Sequence, residues 1–530
     1  MKHLLKSVNA KFADQRTRAR PDQVQNNAGG YVFRVSDEGR LLRFLILGTE
    51  GGTFYASERD QTGLETGFVQ AYAVSDGLGM VRTILDVARA NRAPKADASL
   101  LALAAVAKLG DLEARKAAWN ALPELARTGT MLLHFLAFAQ SFGGWGRLTR
   151  RGVASVYESL PLERLALWAV KYKARDGWSQ ADALRLAHPK TADAARNALF
   201  KFMVDGVLKG ASDPALRVVE GHLLALKVRT DAEAAALMRE YGLPIEAVPT
   251  EARGPEVYRA AMETNGLTWL FRNLGNLGRV GLLVPGNWDF MQAVVSRLTD
   301  PEALRKGRIH PIDALKALMV YRAGRGVRGS GEWVTVPQVV DALEAAFYAS
   351  FGNVTPAGKR FLLGVDVSGS MMGGMVAGVP GLTPNIAASA MAMVTFRCEP
   401  SALAMGFAHD FRDLRLTPRD SLEAVARKTQ LASFGGTDCA LPMTWALKNR
   451  VQADVFVVYT DNETWAGTIQ PQAALQAYRD RTGIPARLIV VGLTSTGFSI
   501  ADPHDAGMLD LVGFDSSAPG VMGAFARGEF

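Results

Sequence analysis

From about residue 64 to residue 350 the sequence is one amphipathic segment after another, and this succession constrains the fold most strongly. Ala- and Leu-rich segments carry apolar residues three and four positions apart, the spacing of helices that bury one face. Short breaks at glycine, proline or polar residues separate them, with no strand pattern between. Many short helices joined by short loops predict stacked helix pairs, an α-solenoid, although no strict repeat period is present. The clearest predicted helices are 99–109, 112–121, 131–141, 160–175 and 192–207.

Beyond about residue 355 the pattern changes to alternating strands and helices. Such alternation predicts an α/β domain, with a parallel sheet covered on both faces. The chain is therefore predicted to divide into a helical part, 1–355, and an α/β part, 356–530. The predicted strands are 361–365, 403–407, 455–460 and 488–491, and the predicted helices between them are 385–397, 438–448 and 471–481.

The N-terminal region predicts a small β-hairpin over about residues 31–55. Tyr31, Phe33 and Val35 alternate with polar residues, a turn follows at 36–39, and a second apolar strand comes next.

Composition restricts the compartment and the partners. Only Cys398 and Cys439 occur, which excludes a disulfide scaffold and fits a reducing, cytoplasmic location. We expect no membrane association, since no apolar stretch approaches the roughly 18 residues of a span and no secretory signal pattern is present. Residues 1–350 hold 46 Lys+Arg against 36 Asp+Glu, whereas residues 351–530 hold 14 against 16. The basic helical part suggests a polyanionic partner.

Oxygen-bearing side chains follow the predicted strands where the strands end. Asp366, Ser368 and Ser370 follow strand 361–365, Asp461 follows strand 455–460, and Thr437 precedes a helix in a glycine-containing loop. Ligands commonly bind at the carboxyl ends of parallel strands, and such oxygens suit a hard cation such as Mg²⁺. The alternative is structural: the serines cap a helix and Asp366 accepts backbone amides.

Motifs for nucleotide or acyl chemistry are absent from the sequence. The segment "GNVTPAGKR" has the wrong spacing for a phosphate-binding loop, "GRGVRG" follows a helix rather than a strand, and no G-x-S-x-G elbow occurs. We therefore expect a protein without catalytic activity.

The most basic informative region is 143–190, with nine Lys/Arg against four Asp/Glu. A helix predicted to end at Gly177 would place Lys171 and Arg175 on one face, and a second helix, starting near Ser179, would deliver His188. The ordinary alternative is a solvated helix face. Further basic candidates, from charge alone, are Arg147, Arg150 and Arg151. The three tryptophans, Trp145, Trp168 and Trp178, fit a core better than a stacking surface.

Two resemblances cover nearly the whole chain. The Asp-x-Ser-x-Ser, Thr and Asp positions over about 358–530 resemble the metal-ion-dependent adhesion site (MIDAS) of von Willebrand factor type A domains. The stretches "LGTEGGTFY" (47–55), "GGWGR", "KYKARDGWS", "LRLAHPK", "LFRNLGNLG" (270–278) and "RIHPIDALKAL" (308–318) resemble the TROVE module of Ro autoantigen ribonucleoproteins, bacterial type.

The resemblance implies a HEAT-like helical ring, monomeric and closed by a Rossmann-like type A domain. It implies that Y RNA binds outside the ring, at Lys171, Arg175 and His188, and that single-stranded 3′ ends of misfolded or precursor RNAs enter the hole. It also implies RNA quality control beside 3′-exoribonucleases, and a divalent cation at Asp366, Ser368, Ser370, Thr437 and Asp461. A different reading is a metal-dependent adhesion or complex-assembly scaffold, whose basic part contacts acidic partners.

Overall fold

The described residues form two compact units, which we call the helical unit and the sheet unit. The helical unit comprises Thr66–Val295 and Gly331–Val336, and the sheet unit takes the described remainder. This division differs from a boundary near residue 355, because helices between residues 296 and 349 group with the sheet. The computed structural model describes residues 13–34, 37–47, 58–90, 93, 96–210, 213–326, 331–376, 379–430, 435–461, 464–493, 498–514 and 518–529.

The helical unit confirms the predicted succession of helices. Most of them pack mainly against the helix one or two places away along the chain, as Asp97–Leu109 does against both Leu112–Leu125 and Gly129–Phe142. Polar side chains start them: Asp111 accepts from the backbone N–H of Ala114 at 2.8 Å, and Ser179 forms a capping box with Asp182. The helices are Glu58–Ser75, Gly77–Arg89, Asp97–Leu109, Leu112–Leu125, Gly129–Phe142, Arg147–Ser159, Leu162–Lys171, Gln180–Ala187, Ala194–Asp205, Arg217–Ala225, Asp231–Tyr241, Pro255–Thr264, Leu267–Arg279 and Trp288–Thr299, of which the first and last run across the unit boundaries.

Close packing between these helices depends on small residues. A Cβ at Gly152 would lie 2.3 Å from a ring carbon of Trp119, so only glycine lets helix Arg147–Ser159 lie flat on the indole. Trp119 in turn meets Phe135 edge to face at 5.3 Å between ring centroids. This contact fixes the helix that carries Arg147 against its neighbours.

The sheet unit confirms the predicted α/β domain. The six strands of its larger sheet lie in the order Met508–Val512, Arg487–Gly492, Val455–Thr460, Arg360–Asp366, Ser401–Phe407, Phe411–Arg412. All neighbours are parallel except the last pair, which is antiparallel. Strand Val455–Thr460 is buried along its whole length, as expected for a sheet covered on both faces. The unit's other helices are Pro301–Lys306, Pro311–Arg322, Pro337–Ala349, Pro384–Cys398, Leu422–Gln430, Leu441–Lys448, Pro471–Thr482 and Ala518–Arg527.

The predicted N-terminal hairpin over 31–55 is wrong. Strand Tyr31–Arg34 pairs instead with Gln23–Gln25 before it and with Phe498–Ser499 far along the chain, and the residues after the turn form helix Asp37–Leu47. Leu41, Phe44 and Leu45 are buried, at the three- and four-residue spacing of a helix rather than the alternation of a strand. Residues 48–55 of the expected second strand lie outside the described residues.

Candidate metal centre and nucleic-acid interface

Asp366 is the last residue of a central strand, and its carboxylate is fully buried. Its Oδ1 accepts from the backbone N–H of Ser368 at 2.9 Å, and its Oδ2 accepts from the hydroxyl of Thr460 at 2.7 Å. The neighbouring strand thus fixes the orientation of the carboxylate, because Thr460 is the last residue of Val455–Thr460. The alternative role of accepting a backbone amide is real, but it leaves lone pairs of both oxygens available.

A second buried carboxylate lies close to the first. Burial raises the pKa of Asp366 far above its usual range, and the negative charge of Asp461 raises that pKa further. Asp461 itself is only 5% exposed. Two carboxylates held together away from water repel each other, and a cation between them would remove that repulsion.

Hydroxyl groups complete the oxygen cluster. Ser368 Oγ lies 3.1 Å from Ser370 Oγ, and Ser368 makes no side-chain capping bond to the short 3₁₀ helix that follows it. Thr437 is buried on the loop that leads into helix Leu441–Lys448, and its carbonyl accepts the N–H groups of Trp465 and Ala466. The hydroxyls therefore sit at the same end of the sheet without acting as helix caps.

The donor set fits a hard divalent cation and fits soft metals poorly. Carboxylate and hydroxyl oxygens are the ligands of Mg²⁺ and Mn²⁺, whereas sites for zinc use histidine and cysteine. Within the described part of the chain, no group of three or more His, Cys, Asp or Glu side chains could hold a metal ion. A cation here would depend on the serine and threonine oxygens.

The basic segment differs from the predicted single helix. Helix Leu162–Lys171 ends at Lys171, and Arg175 lies on a hairpin whose two strands are Ala174–Arg175 and Trp178–Ser179. The two residues between the strands, Asp176 and Gly177, have φ of 50° and 78°, the pattern of a type I′ turn. The prediction that Lys171 and Arg175 share one helix face is therefore wrong, because the Asp-Gly turn takes Arg175 out of the helix.

The three predicted contact residues lie around this hairpin in different environments. Arg175 has a side chain 52% exposed, with Nε 3.8 Å from Asp176 Oδ1. Lys171 lies 3.5 Å from the Glu246 carboxylate. His188 is exposed and ends helix Gln180–Ala187 in a left-handed conformation, with its N–H bonded to the Leu184 carbonyl. Arg175 and His188 are thus the more accessible of the three.

Two tryptophans connect the segments that carry the basic residues, which are a helix start, a hairpin and a helix end. Trp145 and Trp178 stack with ring centroids 5.2 Å apart and planes 22° apart, and both remain partly exposed. Trp145 Nε1 donates to the Leu186 carbonyl, and Trp178 Nε1 donates to Gln140 Oε1. Trp168, by contrast, is 1% exposed and belongs to the core. The expectation that all three are core residues is therefore right for Trp168 only.

Three further arginines lie directly after Trp145. Arg147, Arg150 and Arg151 occupy the first turns of helix Arg147–Ser159 and are exposed. Across the described residues none of the three forms an ion pair with an acidic side chain. Positive charge near a helix N-terminus opposes the helix dipole, so these arginines do not serve the helix itself.

A lysine–histidine contact, in which only the histidine is buried, also lies beside the hairpin, and sequence patterns do not reveal it. His222 Nδ1 donates to the Ala247 carbonyl at 2.6 Å, which leaves Nε2 to accept from Lys173 Nζ at 3.0 Å. Burial lowers the pKa of both side chains. The two residues are 49 positions apart, so no local spacing could have indicated the pair.

Comparison with known proteins assigns a family model to each of two parts of the chain. A family model described as "TROVE domain" matches residues 24–221, and one described as "Ro60 vWA domain" matches residues 360–526. The fold and the two matching family models thus define a class of protein that combines a TROVE module with a type A domain.

Full-length relatives narrow the assignment. "RNA-binding protein RO60" of Deinococcus radiodurans is 64% identical over 530 residues, all of both chains, and its namesake in Caenorhabditis elegans is 33% identical over 97% of this chain and 92% of that one. The crystal structure of the Deinococcus radiodurans RO (RSR) protein matches with a TM-score of 0.75 and 65% identity, over 93% of this chain and 100% of that one. The chain belongs to the Ro60 family.

Proposed function

We propose that this chain is a non-catalytic RNA-binding protein of RNA quality control or processing. It takes structured Y RNA on a surface formed by the hairpin at 174–179, the helix start at Arg147 and the helix end at His188. Single-stranded 3′ ends of misfolded or precursor RNAs enter the hole of a monomeric ring. Family membership supports this proposal, as do the names of the two relatives, each an "RNA-binding protein".

The observation that carries the RNA surface is the stacked tryptophan pair between three basic elements. Trp145 precedes Arg147, Trp178 follows Arg175 on the hairpin, and the carbonyl of Leu186, which Trp145 binds, lies two residues before His188. The pair therefore gathers arginines that are far apart in sequence. A guanidinium group can donate two parallel hydrogen bonds to the oxygens of one phosphate, and a structured RNA carries such phosphates along its backbone.

Two sites on one chain make a direct test possible. Binding of a labelled stem-loop RNA is measured by filter binding in the presence of an unlabelled single strand with a free 3′ end, and then the reverse. If the surface and the hole are separate sites, a saturating concentration of single strand should change the affinity for the stem-loop by less than about two-fold. That is much less than the tenfold change that corresponds to 1.4 kcal/mol. Full mutual competition would reduce the two proposed sites to one.

For the cation we propose Mg²⁺ at Asp366, Ser368, Ser370, Thr437 and Asp461. The buried carboxylate pair supports this assignment, as does the Ser368 hydroxyl, which makes no capping bond to the short helix after it. A ligand set made only of oxygens and low in charge suits a hard cation with open positions. Neutral hydroxyl ligands leave the cation electrophilic, so it would accept a carboxylate from a protein partner.

A second function, a metal-dependent assembly scaffold, follows from that electrophilic site. Such a scaffold would bring a partner protein, such as a 3′-exoribonuclease, to the bound RNA in the cytoplasm. A pull-down with and without EDTA distinguishes the two functions. If the chain is a metal-dependent scaffold, EDTA should release the partner protein while the RNA stays bound.

A further inference from the structure

One glutamine of the N-terminal segment is buried beside the loops of the proposed cation site. Gln15 has no exposed surface, although it stands more than 400 positions before those loops. Its backbone N–H donates to the Gly467 carbonyl at 2.9 Å, and its carbonyl accepts from the N–H of Tyr31 at 2.7 Å. Most polar side chains buried at this depth make hydrogen bonds, and the partners of Gln15 show what it holds in place.

The side-chain amide of Gln15 connects the two loops to each other. Its Nε2 donates to Asp438 Oδ1 at 2.6 Å and to the Ile469 carbonyl at 3.0 Å. Its Oε1 accepts from the hydroxyl of Thr464. Asp438 directly follows Thr437, and Thr464 lies three positions after Asp461, so a single amide bridges the loops that carry two of the proposed ligands.

Thr464 brings that bridge to the ligand residue itself. Its Oγ1 lies 3.3 Å from the Thr437 carbonyl and accepts from the N–H of Cys439 at 3.1 Å. Asn26, also in the N-terminal segment, donates to the Thr464 carbonyl at 2.8 Å. The approach is close, since a Cβ at Gly30 would lie 1.8 Å from that carbonyl oxygen.

We propose that Gln15 is a positioning residue for the cation site. It holds residues 437–439 and 464–466 at the separation that lets Thr437 and Asp461 bind one ion. Residues 13–34 therefore act as part of the cation-binding domain. This inference rests on the proposed cation site, and the experiment below separates the failure of one from the failure of the other.

Another buried glutamine in contact with the same segment supplies the matched control. Gln470 is also fully buried; its Nε2 donates to the carbonyls of Asp14 and Thr17, and its Oε1 accepts from Gln23. These side-chain bonds anchor the N-terminal segment without touching Asp438 or Thr464. Gln470→Ala and Gln15→Ala thus remove similar numbers of buried bonds, but only the second releases the loops.

The test is a Mn²⁺ titration of the full chain, with free Mn²⁺ followed by electron paramagnetic resonance. Partners outside the ligand shell typically change metal affinity 10- to 100-fold, so we expect Gln15→Ala to weaken Mn²⁺ roughly 10-fold and Gln470→Ala to change it less than about two-fold. Thermal melting of each variant reports whether the fold survives. Should Gln15→Ala not fold, Thr464→Val, which removes the hydroxyl that Gln15 accepts from, is expected to give the same roughly 10-fold loss.

Each outcome decides a different statement. A wild-type chain that binds no Mn²⁺ overturns both the cation site and the role of Gln15. Wild-type binding with unchanged affinity in a folded Gln15→Ala variant overturns the role of Gln15 alone, whatever Thr464→Val does. Where Gln15→Ala does not fold, unchanged affinity in Thr464→Val overturns it. Equal losses in Gln15→Ala and Gln470→Ala would also overturn it, because general anchoring of the segment would then explain the effect. A double variant of Gln15 and Thr464 no weaker than either single one supports a shared pathway.

Discussion

Replacing Arg175 with alanine should remove one phosphate contact from a structured RNA while leaving the fold intact. The side chain is half exposed, and its pairing with Asp176 at 3.8 Å is a surface contact that contributes little to stability. Each phosphate neutralised on binding releases condensed counterions, so the slope of log affinity against log salt should fall by roughly 0.7–0.9.

Lys171 should give a smaller change than Arg175. Its ammonium already lies 3.5 Å from the Glu246 carboxylate, and contact with a phosphate requires that this pairing be given up. The double variant should therefore flatten the slope by more than Arg175→Ala alone, but by less than the roughly 1.4–1.8 units that two full phosphate contacts would give.

The assay is a filter-binding titration with a stem-loop RNA over a range of salt concentrations, and Arg239→Ala is the matched control. Arg239 belongs to the same helical unit, and its guanidinium is engaged by both oxygens of Glu263, at 2.7 and 2.9 Å. We expect its slope to equal that of wild type. An unchanged slope in Arg175→Ala, or an equal fall in Arg239→Ala, would refute the placement of RNA on the hairpin.

Three further outcomes follow from the structure. Ser368→Ala with Ser370→Ala should abolish Mn²⁺ binding in the titration above and leave stem-loop affinity unchanged; retained stoichiometric metal would contradict the ligand set. Gly177→Ala has room for its methyl but a φ of 78°, so hairpin strain of about 1 kcal/mol should weaken stem-loop binding several-fold without lowering the melting temperature of the sheet unit. Burial lowers the pKa of His310 to about 4, below its value in an unfolded chain. The unfolded chain therefore binds this proton more readily, and the free energy of unfolding should fall by about 2–3 kcal/mol as the pH drops from 6.5 to 4, with no such loss above pH 6.5. Urea unfolding of His310→Asn, which keeps an acceptor for the Ile312 N–H, should lack that part of the pH dependence.

Periodicity predicted the elements whose cores are local in sequence. Segments 99–109 and 131–141 became helices Asp97–Leu109 and Gly129–Phe142, and the run 455–460 became a strand, because each pattern spans a whole element. Asp366, Ser368, Ser370 and Asp461 are proposed because they follow predicted strands, and the ends of neighbouring parallel strands lie at one edge of the sheet. Thr437 is added from its glycine-containing loop before a helix, and the full set from the resemblance to type A domains.

Sequence reasoning failed where short-range turns or long-range pairing decide the structure. The Asp176-Gly177 dipeptide is a strong hairpin signal, but the apolar periodicity before it suggested that the helix continues. At Tyr31 the alternation is too short to show that the strand pairs with Phe498–Ser499, more than 450 positions away. Gln15 has no motif at all, because its role depends on loops that only the folded chain brings to it.

The measurement that tests the central proposal most directly is ultraviolet cross-linking of the full chain to a stem-loop RNA, with the cross-linked peptides identified by mass spectrometry. The surface around Trp145 and Trp178 predicts cross-links concentrated in residues 143–190, and fewer of them in the double variant of Lys171 and Arg175. Cross-links confined to residues 360–526, or a pattern unchanged in the double variant, would contradict binding of structured RNA at this surface.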